Sequence, residues 1–238
     1  MAGSLKTEAV VLRSIRYGEG DRVLHLYTPE RGRVAAIAKG ARKARSRFGG
    51  RLEPFFRLAL VLYEGRGDLL TVTSAETLEA YPRLREHHGC LDAAGRACDA
   101  VSRLFEAGDP HPAVFHLLCH QLALLDAAPG HAGRSNQLAF RLKLLLAAGL
   151  VPQLEACASC GDRQHLQGFS GAAGGVVCSA CEASAFPLDR EAHDFLVAAL
   201  GRPLAQAPTA SERALRQAER AIGETAEHHA HVKLRPAA

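Results

Sequence analysis

Two cysteine pairs constrain this chain more than any other feature. Cys157-Ala158-Ser159-Cys160 and Cys178-Ser179-Ala180-Cys181 are separated by 17 residues. Two residues between cysteines let a tight turn aim both thiolates at one ion, and two such turns complete a tetrahedron of soft ligands. The spacer lies in the range of zinc ribbons, and Gly161, Gly168, Gly171, Gly174 and Gly175 give it a permissive backbone. Cys157, Cys160, Cys178 and Cys181 are therefore expected to hold one structural Zn²⁺. A catalytic zinc would keep one position open for water, and here all four are filled. His165 is superfluous to this set. His87, His88, His228, His229 and His231 read as solvated helix ends.

Seven cysteines is an odd number, which with the paired spacing favours metal in a reducing compartment over disulfides. Cys90, Cys98 and Cys119 lie in helical text and read as small core residues. The opening Met-Ala-Gly-Ser-Leu-Lys lacks the charged and apolar regions of a secretory signal. The strongest apolar run, Leu142 to Leu150, falls short of the roughly 20 residues of a membrane span. A cytoplasmic protein with no membrane partner is expected. At 238 residues, with 47% hydrophobic and 23% charged, the chain has an ordinary globular composition, enough for one large domain or two to three small ones.

Residues 8 to 78 read as five short strands. Glu8 to Arg16 ends at the turn-rich Tyr17-Gly18-Glu19-Gly20-Asp21, and Arg22 to Thr28 joins Arg33 to Ala38 through Pro29-Glu30-Arg31-Gly32. Phe56, Leu58, Leu60 and Leu62 alternate on one face of a fourth strand. The turn Gly65-Arg66-Gly67-Asp68 leads to a fifth, Leu69 to Ser74. Five short strands in about 70 residues suit a Greek-key barrel of the OB type, which removes sheet edges by closure.

From Tyr81 the period changes to 3.6. Leu84, Leu91, Ala94, Cys98, Val101 and Leu104 trace one helix, Pro112 to Asp126 a second, and Ser135 to a cap at Gly149 a third. Pro187 to Leu200 and Ser211 to His229 read as two more. The expected fold is α+β. An OB domain over 1–80 precedes a helical domain in two parts, 81–155 and 184–238, with the zinc ribbon inserted at 156–183.

Charge is concentrated in the first third. Residues 1 to 80 hold 14 Lys and Arg against 9 Asp and Glu, a net +5, while the remainder comes to −1. From Arg31 to Arg57, nine basic residues face only Glu53. The segment joining the third and fourth strands, Gly40 to Glu53, is the longest loop and the most basic. Lys39, Arg42, Lys43, Arg45 and Arg47, followed by Arg33, are the candidate phosphate contacts, with Gly40 allowing close approach. Phe48, within the loop, is the first candidate to stack on unpaired bases, ahead of Phe55, Tyr27 and Tyr63.

At these residues the chain resembles a known family. The strand Thr7-Glu8-Ala9-Val10-Val11-Leu12-Arg13, the loop Ala38-Lys39-Gly40-Ala41-Arg42-Lys43, Leu52-Glu53-Pro54-Phe55, Ser74-Ala75-Glu76, and Gly149 to Gly161 with the second cysteine pair are similar to the recombination mediator RecO family. The resemblance implies DNA repair by homologous recombination. It implies binding of single- and double-stranded DNA, annealing of complementary strands, and work with RecR to load RecA onto strands covered by single-stranded-DNA-binding protein. It implies no catalysed chemistry and a nucleoid-associated location.

Charge and barrel alone say only nucleic acid. A zinc-ribbon RNA-binding protein is the competing reading, and a scaffold with a solvated basic loop is another. No phosphate-binding loop, nucleophile elbow, HExxH motif or carboxylate cluster supports an enzyme.

Overall fold

Alternation of apolar residues gives the first part of the chain its sheet. In the computed structural model, which describes residues 3–65, 67, 69–181 and 185–237, five strands form: β1 (Ser4–Tyr17), β2 (Asp21–Thr28), β3 (Gly32–Ala38), β4 (Arg57–Tyr63) and β5 (Leu70–Glu79). Leu58, Leu60 and Leu62 of β4 face inward with Ala9, Val11, Leu24, Leu26, Ala36 and Val72, as the period of two requires. β1 and β5 run longer than the sequence suggests, because Ser4 to Val10 and the segment up to Glu79 both find partners along β4. Pairing, not composition, sets those ends. Arg66 and Asp68 of the expected turn lie outside the described residues, as do Met1, Ala2, residues 182–184 at the end of the expected ribbon, and Ala238.

The strand order is β1-β2-β3-β5-β4, with β4 also paired to β1. The step from β3 to β5 is parallel and short, Ala36 opposite Leu70 and Ile37 opposite Thr71. A bulge between Val11 and Arg13 bends β1, so that its first half pairs with β4 and its second with β2.

The chain divides into two compact units between Ala127 and Ala128. In the first, α1 (His88–Leu104) and α2 (Pro112–Ala127) accompany the sheet. Their buried stripes include Cys90, Ala94, Cys98 and Val101, then Val114, Leu118, Cys119 and Leu122. The three isolated cysteines are core residues, as their helical setting implies.

The second unit holds α3 (Arg134–Ala147), strands β6 (Leu166–Ser170), β7 (Gly175–Cys178) and β8 (Phe186–Pro187), then α4 (Arg190–Gly201) and α5 (Glu212–Ala230). Beyond α3 the Leu150 N–H closes on the Leu145 carbonyl at 2.8 Å, past the expected cap Gly149. The fourth helix begins three residues later than expected. Phe186-Pro187 pairs with Gly168 and Phe169 as an edge strand, and the Asp189 carboxylate then caps the helix by accepting from the Ala192 N–H at 2.9 Å. Pro187 suits an edge because it has no ladder donor to lose.

Candidate nucleic-acid interface and metal centre

The basic segment after β3 is an anchored loop. Ala41, Phe48 and Leu52 sink into the core of the sheet, while Lys39, Arg42, Lys43, Arg45 and Arg47 stay exposed. Successive turns hold it, with N–H groups of Lys43, Ser46 and Arg51 bonding the carbonyls of Gly40, Lys43 and Phe48. Gly40, at φ +68°, takes the left-handed conformation that a side chain would resist. Its N–H donates to Asp21 Oδ1 at 2.7 Å. The Arg42 N–H reaches the Gly20 carbonyl at 2.8 Å, and Arg42 Nη1 the Gly18 carbonyl at 3.2 Å. The loop is thus tied to the turn between β1 and β2.

Carboxylates are drawn elsewhere. Glu53, the one acid in the run, pairs with Arg22 at 2.9 Å. Glu8 takes Arg57 at 2.6 Å and Glu64 takes Arg31 at 3.5 Å. Among the described residues no acid pairs with the five loop cations, so their charge faces solvent.

One expected contact is corrected. Phe48 is 1% exposed, so its ring is a core residue and offers no face to a base; Arg47 lies over it at 4.9 Å from the centroid. Arg33 is half-buried, and its Nη1 donates to the Ser102 carbonyl and hydroxyl of α1. Tyr27 is fully buried against Phe105, at 6.2 Å between ring centroids. Tyr63, also a candidate, does reach solvent at 44% exposed, and so does Tyr17 at 57%, at the end of β1 beside the turn tied to the loop. The neighbours of Tyr17 in sequence place it in the turn; its alternation with Arg13 and Ile15 is the signal that would have found it.

The four cysteine sulfurs lie within 4.8 Å of one another. Cys160 and Cys178 are 3.7 Å apart, far beyond a disulfide and close to the roughly 3.8 Å edge of a tetrahedron with about 2.3 Å metal–sulfur bonds. Two similar turns build the site: the Gly161 N–H bonds the Cys157 carbonyl at 2.8 Å, and the Cys181 N–H bonds the Cys178 carbonyl at 2.9 Å. Backbone N–H groups of Cys178, Cys160 and Ser159 point at the Cys157 sulfur and hold its thiol down at about 6. Hydrogen bonds with Cys160 and Cys178 push the Cys181 thiol up to about 12. Four crowded sulfurs resist joint ionisation, and a bound dication removes that resistance. The donor set therefore fits a metal ion.

His165 is exposed and outside the sulfur cluster; its carbonyl accepts from the Ser179 N–H at 3.2 Å. His229 is more than a solvated helix end. Its Nε2 lies 2.9 Å from the Gly171 carbonyl, which it meets as donor, so α5 is fastened to the turn between β6 and β7. No helix among the described residues is long and apolar enough to cross a membrane.

Comparison with known proteins agrees with this arrangement over nearly the whole chain. Residues 1–81 match the family described as Recombination protein O N terminal, and residues 91–236 the one described as Recombination protein O C terminal. The DNA repair protein RecO of Rubrobacter xylanophilus is 39% identical over 223 residues, 91% of this chain and 88% of that protein. That of an Anaeromyxobacter species is 37% identical over 238 residues, covering 96% and 92%. That of Anaeromyxobacter dehalogenans is 42% identical over 180 residues, covering 74% and 70%.

Proposed function

Because this chain belongs to the RecO family of DNA repair and recombination proteins, we propose that it is a recombination mediator. It binds single- and double-stranded DNA without sequence specificity, anneals complementary strands, and with RecR helps RecA onto strands coated by single-stranded-DNA-binding protein. The observation that carries this reading is the anchored loop, with five exposed cations on a rigid, apolar base.

The mechanism is electrostatic. Lys39, Arg42, Lys43, Arg45 and Arg47 neutralise phosphates of two strands at once, release their counterions and lower the repulsion that opposes pairing. The sheet serves as an OB-type platform within an N-terminal DNA-binding domain over 1–80. The ribbon of 156–183 interrupts the helical segments 81–155 and 184–238. Its four cysteines hold one structural Zn²⁺, which adds its binding energy to folding. No residue is given a catalytic role, and the protein works in the cytoplasm beside the nucleoid.

Fluorescence anisotropy of labelled single-stranded DNA, duplex DNA and RNA tests this, with a Lys39→Ala, Arg42→Ala, Lys43→Ala triple variant alongside. Wild-type affinity for single strands should fall with salt at a log–log slope of about −0.7 per phosphate contact, and the variant should flatten that slope. Preference for RNA would hand the site to the RNA-binding reading. No binding to any of the three would leave a scaffold.

A further inference from the structure

Two helices of the second unit begin beside one cavity. It holds about 460 Å³ and is lined by the first turn of α3, the short turn Leu204–Gln206 and the segment that enters α5. α3 starts from Gly133, which brings no side chain to cap it. Its first helical hydrogen bond runs from the Gln137 N–H to the Gly133 carbonyl at 3.2 Å, and among the described residues the N–H groups of Arg134, Ser135 and Asn136 meet no acceptor. α5 differs, since the Ser211 hydroxyl accepts from the Ala214 N–H and Glu212 occupies its first turn. α3 therefore opens on the cavity with unused donors and the positive end of its dipole.

A buried side chain marks this as more than a helix end. Asn136 lines the cavity and is 4% exposed. Its Nδ2 donates to the Leu204 carbonyl at 3.1 Å. A carbonyl only accepts, so the amide cannot be turned about, and Oδ1 needs a donor. Among the described residues it has none. Arg134, also in the lining, has the opposite need: Nη1 pairs with Glu212 at 3.0 Å and Nη2 with Glu219, while the buried Nε–H meets no acceptor. Ser135 adds a hydroxyl to the same wall. Buried polar groups are rarely left unmet, and one ligand of the right chemistry meets all of these.

We infer that the cavity at the start of α3 is a binding site for a phosphate monoester. The unused N–H groups, Arg134 Nε and the Ser135 hydroxyl suit the oxygens of an oxyanion. Asn136 Oδ1 asks for a proton carried by the ligand. A phosphate monoester, with a second pKa of about 6, keeps a P–O–H in its monoanion, and the sugar of a nucleotide supplies a further hydroxyl. Sulfate at neutral pH has neither. Gly130, Ala205, Ala207 and Ala210 add little bulk to the wall, so the volume admits a sugar beyond the phosphate. Glu212, 67% exposed, opposes an anion, but Arg134 already balances its charge. All of these residues belong to the second unit and none to the cationic loop, so the site stands whether or not the loop binds DNA. A free nucleotide and the 5′-phosphorylated end of a strand share this chemistry.

Titration calorimetry of the full-length protein with sodium phosphate, and with sodium sulfate at equal ionic strength, tests the assignment. Phosphate should bind, and sulfate about tenfold more weakly, because it offers Asn136 no proton. Ser135→Ala should weaken phosphate about tenfold by removing a donor to a charged group. Glu212→Gln, at an exposed position where folding is not at stake, should tighten it about threefold. The source is read in the Lys39→Ala, Arg42→Ala, Lys43→Ala protein, which takes the loop cations out of account. Tighter binding of thymidine 5′-monophosphate than of 5′-phosphorylated oligo-dT assigns a free nucleotide, and the reverse order assigns a strand end; in either case binding should be lost with the phosphate. No binding of phosphate, equal affinity for sulfate, or wild-type phosphate affinity in both single variants would overturn the site, and would leave the loop's part in DNA binding as it stands.

Discussion

Glu219 on α5 meets Arg141 on α3 at 3.4 Å, with the arginine side chain 5% exposed. The same carboxylate accepts from Arg134 Nη2 and from the backbone N–H of Ala237. One acid thus fastens two turns of α3 and the segment after α5. Losing it leaves buried guanidinium charge short of its counter-ion. Glu219→Ala should cost about 3 kcal/mol in urea unfolding, and Glu219→Gln most of that, because the amide keeps the shape and loses the charge. An unchanged midpoint in both variants would show that the cluster contributes nothing.

Phe48 separates core from interface. Phe48→Ala empties a fully buried site and should destabilise the protein by about 3–5 kcal/mol, while Phe48→Leu should cost less and leave DNA affinity unaltered. A stable Phe48→Leu protein with impaired DNA binding would restore the ring to the interface.

Close backbone approach fixes one glycine of the ribbon. A Cβ on Gly175 would lie 2.2 Å from the Gln153 carbonyl oxygen, the residue whose N–H and carbonyl bond Gly174 and Val176. Gly175→Ala should therefore force this pairing apart and lower the melting temperature. Gly223, in the interior of α5, is different: a Cβ there would meet nothing within 4 Å. Gly223→Ala should stabilise by about 0.5–1 kcal/mol through the unfolded chain's entropy. Equal effects of the two substitutions would contradict the contact.

Metal removal should be visible by thiol titration. Burial pushes the Cys119 thiol up to about 11 and raises Cys98 further, so both remain neutral and unreactive near pH 8. Metal-loaded native protein should show almost no reactive thiol, a chelator should expose the four of the ribbon, and denaturant all seven. The Cys157 thiol is depressed, so its thiolate favours the folded, metal-binding state above pH 6. In the metal-free protein that contribution should be complete above the ordinary thiol range and lost as the pH falls through about 6, and bound metal, which competes with protons for the sulfur, should move the loss to lower pH. Full thiol reactivity before chelation would remove the metal reading.

The amphipathic helices were legible because burial follows period within one segment: the stripes of α1 and α5 need no distant partner to be recognised. The start of α4 was not, because Phe186-Pro187 becomes a strand only where β6 offers it an edge. Likewise β1 and β5 gained residues from β4, whose position along the sequence says nothing about register.

The sequence by itself determined the cluster of four cysteines and the charge of the loop, since two-residue cysteine spacings and a run of cations act locally wherever the chain goes. Tertiary structure decided which aromatic is wet. Phe48 and Tyr17 both border the same cations, yet the loop folds Phe48 into the core while Tyr17, at the end of β1 past its bulge, stays 57% exposed. Burial of a ring depends on what packs across it, and those partners lie far along the chain.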